Sequence, residues 1–146
     1  MGTRSTIALE FADGTVQQVY CHWDGYLEHN GKILLEHYSD PFKLRDLIDL
    51  GDMSSLAANI GTQHSFNNLV EGECTFYGRD RGETSVSAKQ FKDIEDYYAN
   101  VQGEEYDYIL SMNWEGKAQW YVRHYATGGT WIGLEMAFEQ QAKETA

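Results

Sequence analysis

Ser5-Thr6-Ile7-Ala8-Leu9-Glu10-Phe11, then Asp13-Gly14, then Thr15 through Trp23, is the stretch on which the fold is read. Ile7, Leu9 and Phe11 alternate with small or polar neighbours, the period-two signature of a half-buried strand. Asp13-Gly14 suits a tight turn with positive φ. The β-branched and aromatic run after it reads as the returning strand, so a hairpin opens the fold. The second strand ends in Val19-Tyr20-Cys21-His22-Trp23-Asp24-Gly25-Tyr26, with Asn30-Gly31 shortly beyond. Two large rings, an imidazole and a carboxylate beside a glycine must pack or bind something, since exposed rings are costly.

The rest of the chain follows the same logic. Ile33, Leu34 and Tyr38, preceded by Tyr26 or Leu27, predict a helix over about residues 29–38, with Asn30 as N-cap. Asp40 as cap, Pro41 at the first helical position and Gly51 as a left-handed stop bracket a second helix. Together they form a helical hairpin laid on a sheet. Ser54 to Ala58 reads as a short helical turn, Gly61 to Asn68 as a loop, and Glu73 to Tyr77 as a strand ending in a turn at Gly78 to Glu83. Ser87 caps a third helix over about 88–99. Tyr106 to Met112 and Ala118 to Tyr125, joined through Asn113-Trp114-Glu115-Gly116-Lys117, form a second hairpin. Trp131-Ile132 extends a strand, and Leu134 through Lys143 makes a C-terminal helix. The expected architecture is one α+β domain spanning residues 1–146. Its sheet is mainly antiparallel, built from two hairpins around a central Thr75-Phe76-Tyr77 strand, and is covered by the helical hairpin and the third helix.

Composition limits the function classes. The 146 residues carry 42% hydrophobic side chains, a globular value. The chain is long enough to bury roughly two-thirds of its unfolded surface. With 23 acids against 11 bases, a net charge of −12 disfavours binding to nucleic acid or anionic membranes. No stretch has the length and apolarity of a membrane span, and the N-terminus lacks a basic-then-apolar signal pattern, so a cytoplasmic location is expected. Cys21 and Cys74 lie in apolar runs without a CxxC spacing, which predicts buried free thiols rather than a disulfide or a zinc site.

Three clusters could carry chemistry. In the first, Trp23 or Tyr26 could stack on a base while Asp24 accepts from a ribose or an amine and His22 assists; alternatively the rings pack and Asp24-Gly25 simply turns the chain. In the second, Tyr77-Gly78-Arg79-Asp80-Arg81-Gly82-Glu83 places two of the five arginines together ahead of a helix, a pattern that can hold phosphate oxygens. The same residues could instead form a solvated turn whose arginines pair with Asp80, Glu83 or other acids. The third is the acidic tract of Asp93, Glu95, Asp96, Glu104, Glu105 and Asp107. Interleaved with tyrosines, it could imitate nucleic-acid phosphates, or serve as an ordinary solvated face. The five histidines have no metal-ligand spacing, no nucleophile motif is present, and adjacent Cys21 and His22 would point to opposite faces of a strand. Neither an enzyme nor a cofactor is expected.

Thr3-Arg4-Ser5-Thr6-Ile7, His22-Trp23-Asp24-Gly25-Tyr26, Asn30-Gly31, Leu47-Ile48-x-Leu50-Gly51-Asp52-x-Ser54-Ser55-Leu56 and Phe76-Tyr77-Gly78-Arg79-Asp80-Arg81-Gly82-Glu83 together resemble a family of small phage and prophage proteins, mostly hypothetical. The resemblance covers most of the first 85 residues and, more loosely, Trp120-Tyr121-Val122. Leu27 stands where that family often has proline, a departure affecting loop rigidity more than chemistry. The resemblance implies a host-takeover or anti-defence role. One form of it is sequestration of a nucleotide immune signal, such as a cyclic or modified ADP-ribose, by His22, Trp23, Asp24, Tyr26, Tyr77, Arg79, Asp80 and Arg81. A homodimer or higher homo-oligomer would suit such a pocket. The other is inhibition of a host DNA- or RNA-binding defence protein through the acidic tract.

Overall fold

The computed structural model describes residues 3–113 and 115–145; Trp114 of the second hairpin's connection lies outside the described residues. Strand β1 (Ser5–Glu10) and strand β2 (Val16–Cys21) form the expected antiparallel hairpin, with Ile7 opposite Val19. Phe11 and Gly14 close the turn through backbone bonds, and Gly14 has φ 91°, a conformation that glycine adopts without a steric penalty.

After β2 the chain makes a π-helical turn (Leu27–Gly31), helix α1 (Lys32–His37) and helix α2 (Pro41–Asp49). Asp40 accepts from the Phe42 N–H as N-cap, and Gly51 at φ 83° ends α2, as predicted. Asn30 is no N-cap: it is fully buried within the π turn, where its side chain is used elsewhere. Helices α1 and α2 carry the chain back to the end of the sheet from which it left. Strand β3 (Met53–Ser55) starts beside the last residue of β2 and runs on parallel to it, with Cys21 opposite Met53. The short helical turn expected at Ser54–Ala58 is replaced by this strand, whose Met53 and Ser54 carbonyls accept from the His22 and Trp23 N–H groups.

Strand β4 (Thr75–Phe76) pairs antiparallel to β3. It stands at the outer end of the sheet rather than at its centre. Tyr77 already begins helix α3 (Tyr77–Arg81), so the expected turn at Gly78–Glu83 is mostly helical, and Gly82 ends it at φ 73°. The predicted third helix from Ser87 is also corrected. Strand β5 (Lys89–Phe91) forms first and pairs with Val16–Gln18 of β2; helix α4 (Ile94–Asn100) starts after its own cap, Asp93. The open flank of β2 supplies the partner, a long-range preference that overrides local helix propensity. Strands β6 (Tyr106–Met112) and β7 (Ala118–His124) are the second hairpin. Strand β8 (Ile132–Gly133) and helix α5 (Leu134–Thr145) finish the chain.

The sheet is mixed, in the order β4-β3-β2-β1-β6-β7-β8, with β5 also on β2. Strand β6 lies parallel to β1, so the expectation of a mainly antiparallel sheet gives way to an eight-stranded mixed one carrying two parallel pairings among the described residues. One face holds the main core, where Ile7, Leu9, Val19, Tyr108, Leu110 and Trp120 meet Leu34, Leu44, Leu47, Ile48 and Leu134 of the helices. The other face is covered only in part, by α4 packing Tyr97 on Ala8, Val16 and Ile109. That incomplete cover positions the site.

Candidate ligand groove

On the half-covered face, one row of side chains runs across four strands in register: Tyr20, Thr6, Asp107 and Arg123. The Thr6 hydroxyl donates to Asp107 Oδ1 at 2.7 Å, and Arg123 Nη2 donates to Asp107 Oδ2 at 3.1 Å. Thr6 and Tyr20 of this row, with Gln18 beside them, line an open groove of about 490 Å3, within the size range of small-molecule sites. Its floor is Thr6, Gln18 and Tyr20; its walls come from the segments holding Ser85, Ser87 and Lys89 on one side, and Gln102 and Glu104 on the other.

The groove exists because β2 changes partners along its length. Residues 16–18 pair with β5 and residue 21 pairs with β3. In the gap between those partners the Tyr20 N–H finds no strand, and the Asp52 carboxylate accepts it at 2.9 Å. Burial raises the Asp52 carboxyl above its ordinary value, against the opposing pull of that hydrogen bond and of Lys89. Burial likewise raises the Tyr20 phenol, which the Arg4 guanidinium partly offsets.

Two cations, Arg4 and Lys89, face two acids, Asp52 and Glu104, in this groove. Among the described residues neither the Arg4 guanidinium nor the Lys89 ammonium has a carboxylate at ion-pair distance. The two cations and two acids cancel formally, so in a chain of net charge −12 the groove is locally neutral and keeps two basic donors. The groove offers donors on a polar floor and one half-buried phenol ring.

The residues singled out from sequence are placed differently. Arg79 is a staple of the fold. Its guanidinium donates to both Asp80 oxygens, to the Ile60 and Gly61 carbonyls and to the Cys74 carbonyl. All five of its donors are thereby engaged, so the phosphate-holding role expected of Arg79 has no free donor to serve it. Asp80, with its side chain buried, also accepts from the Phe76 and His64 N–H groups. Arg81 is half exposed, pairs with Glu83, and lies over the Phe66 and Tyr77 rings at 4.3 and 5.0 Å.

The His22–Tyr26 packet is a clasp between β1 and the helical layer. The buried Asn30 carboxamide donates to Ser5 Oγ, Cys21 Sγ and the Trp23 carbonyl, holding the turn against β1. The Gly25 N–H donates to the Thr3 carbonyl, and the buried Tyr108 hydroxyl donates to the Gly25 carbonyl. Asp24 supplies the left-handed turn at φ 58°. The Trp23 and Tyr26 rings remain partly exposed. His22 adjoins the groove, since its Nδ1 lies 2.7 Å from the Tyr20 hydroxyl, and the Trp23 ring stands edge-on to it at 4.8 Å. The Tyr77 N–H donates to the Asp52 carbonyl at 3.2 Å, two residues before Ser54, whose carbonyl takes the Trp23 N–H. The two motif segments are thus neighbours at one end of the sheet. The groove beside them is lined by two other cations, Arg4 and Lys89.

The acidic tract is dispersed. Asp107 is buried and paired with Arg123; Asp93 caps α4 and Asp96 accepts from the Lys92 N–H and from Asn100. Glu95 and Glu105 are exposed, and Glu104 is exposed at the groove wall. Sequence reasoning passed over Arg4, Gln18, Asp52 and Lys89, which lie on separate elements. One local signal was present: Gln17-Gln18 interrupts an otherwise apolar strand with two polar residues, so one of them must face a sheet surface where a polar group is tolerated or used.

Among the described residues no three His, Cys, Asp or Glu side chains are grouped to hold a metal ion, and no helix is long and apolar enough to cross a membrane. Comparison of the chain with protein-family models, curated proteins and solved structures finds no match.

Proposed function

We propose that this protein binds and sequesters a small nucleotide-type ligand in the groove over Thr6, Gln18 and Tyr20. The observation that carries the proposal is the pair of unmatched cations, Arg4 and Lys89, beside a polar floor in an acidic molecule. Phosphates would take the charged donors, and the Tyr20 ring, backed by His22, would meet the base. The resemblance to phage and prophage proteins supplies the biological setting: the ligand is a nucleotide immune signal of the cyclic or modified ADP-ribose class, and the protein acts as an anti-defence sponge in the host cytoplasm. Sequestration requires tight binding without turnover, and no catalytic constellation enters the proposal.

Calorimetry against AMP, ADP-ribose, cyclic ADP-ribose and a cyclic dinucleotide tests it. Binding should be weakened roughly tenfold or more by Arg4→Ala and by Lys89→Ala, the scale of losing one charge-assisted contact. Arg81→Ala, lying outside the groove, should leave it intact. Absence of binding across the panel, with co-purification of a host nucleic-acid-binding protein through Glu95, Glu104 and Glu105, would favour the competing view that the protein is an acidic mimic.

A further inference from the structure

Gln18 is a costly residue where it stands. It is 3% exposed, held on both flanks by strands, opposite Ala8 on one side and Lys89 on the other. On the same face the next residue along β2 is Val16, which belongs with Ala8 to the small apolar cluster under α4. An apolar side chain would continue that cluster. Instead the position holds a carboxamide whose Nε2 is buried without a hydrogen-bond partner, and the residue lines the groove. A buried donor left unpaired destabilises the free protein, and native structures retain few of them.

Resting on the proposal that the groove takes a nucleotide, we infer that Gln18 is its base-reading residue. A carboxamide presents a donor and an acceptor side by side in one plane. It therefore matches the edge of a nucleobase that offers an acceptor next to a donor, as in the two-point contact of glutamine with adenine. Arg4 and Lys89 act on the phosphates, which every nucleotide or sugar phosphate shares. Gln18 makes the site prefer a ligand that carries a base. Its missing partner in the free protein becomes the selectivity of the complex, because a ligand without the matching edge leaves the amide unpaired.

The test compares AMP with ribose 5-phosphate in wild type, Gln18→Met and Gln18→Leu, by calorimetry and thermal unfolding. Wild type should bind AMP at least roughly tenfold more tightly than ribose 5-phosphate. Both variants should lose that preference, with AMP affinity falling roughly tenfold more than ribose 5-phosphate affinity. Both should also unfold at the same or a higher temperature than wild type, because the unpaired amide is gone. Retained preference for AMP in the variants, or a marked drop in melting temperature in both, overturns the assignment of Gln18 while leaving the nucleotide groove standing. Failure of wild type to bind AMP overturns this inference, and failure to bind any nucleotide of the calorimetric panel overturns the groove proposal as well.

Discussion

Arg79 and Asp80, consecutive in the chain, form a two-point ion pair: Nε lies 3.0 Å from Oδ1 and Nη2 lies 3.2 Å from Oδ2. The pair ties α3 to the loop at Ile60 and Gly61, to the Cys74 carbonyl and to the start of His64. Asp80→Ala would leave a guanidinium and two backbone N–H groups without their acceptor. It should cost about 3–5 kcal/mol, the range for breaking a buried charge pair from one side. Urea unfolding monitored by tryptophan fluorescence measures this.

The same carboxylate sets an acid limit. Burial pushes the Asp80 carboxyl up, but Arg79 and the Phe76 and His64 N–H groups outweigh it and hold the group below its ordinary value of 3.8. A depressed carboxyl stabilises the fold fully above that ordinary value and progressively less as pH falls through the folded one. The stability gap between wild type and Asp80→Ala should therefore be constant from pH 7 to about 5 and narrow below about pH 4. A gap independent of pH down to about 2 would contradict this account.

Asp52 has the opposite sign. Its carboxyl is raised above 3.8, chiefly by burial. A raised carboxyl favours the folded state most when protonated, and that advantage is lost as pH rises through its folded value. Asp52→Asn keeps an oxygen to accept the Tyr20 N–H and removes the charge. The variant should be at least as stable as wild type at pH 7, with the benefit fading in acid. Removing one acid from the groove should also tighten AMP binding, by roughly two- to tenfold at low salt.

Gly25 has no room for a side chain. A Cβ there would stand 2.7 Å from Ser5 Cβ and 2.8 Å from the Thr3 carbonyl oxygen, both on the β1 segment. Gly25→Ala should destabilise by about 1–3 kcal/mol, the usual cost of overpacking. The melting temperature should fall accordingly, whereas Gly14→Ala meets no atom within 4 Å and suffers only the left-handed φ.

Both thiols should be silent in the folded protein. Burial pushes Cys21 up to about 12 and raises Cys74 as well, and both side chains are enclosed. Iodoacetamide at pH 8 should label neither cysteine until denaturant is added, because only the accessible thiolate reacts. Rapid labelling of either in native buffer would disprove the burial argument.

The alternation in Ile7, Leu9 and Phe11, the Asp40-Pro41 start and Gly51 stop of α2, and the aromatic run of Tyr106–Met112 are local signals, and each element formed where its signal lay. Local composition likewise predicted two free buried thiols. Nothing local could say that Gln18 would lie opposite Lys89, or that Thr6 would bond Asp107 a hundred and one residues away. Those pairings follow from which strand edges remain open once the core has packed, and they turned a predicted helix start into β5 and gave two parallel pairings to a sheet expected to be mainly antiparallel. The arginine cluster shows the same: three carbonyls brought by folding join the neighbouring Asp80 carboxylate in taking up the donors of Arg79, while Arg4 and Lys89, unremarkable in the chain, face a groove. Residue pattern sets what each segment can become; long-range hydrogen bonding and burial decide which charges stay available.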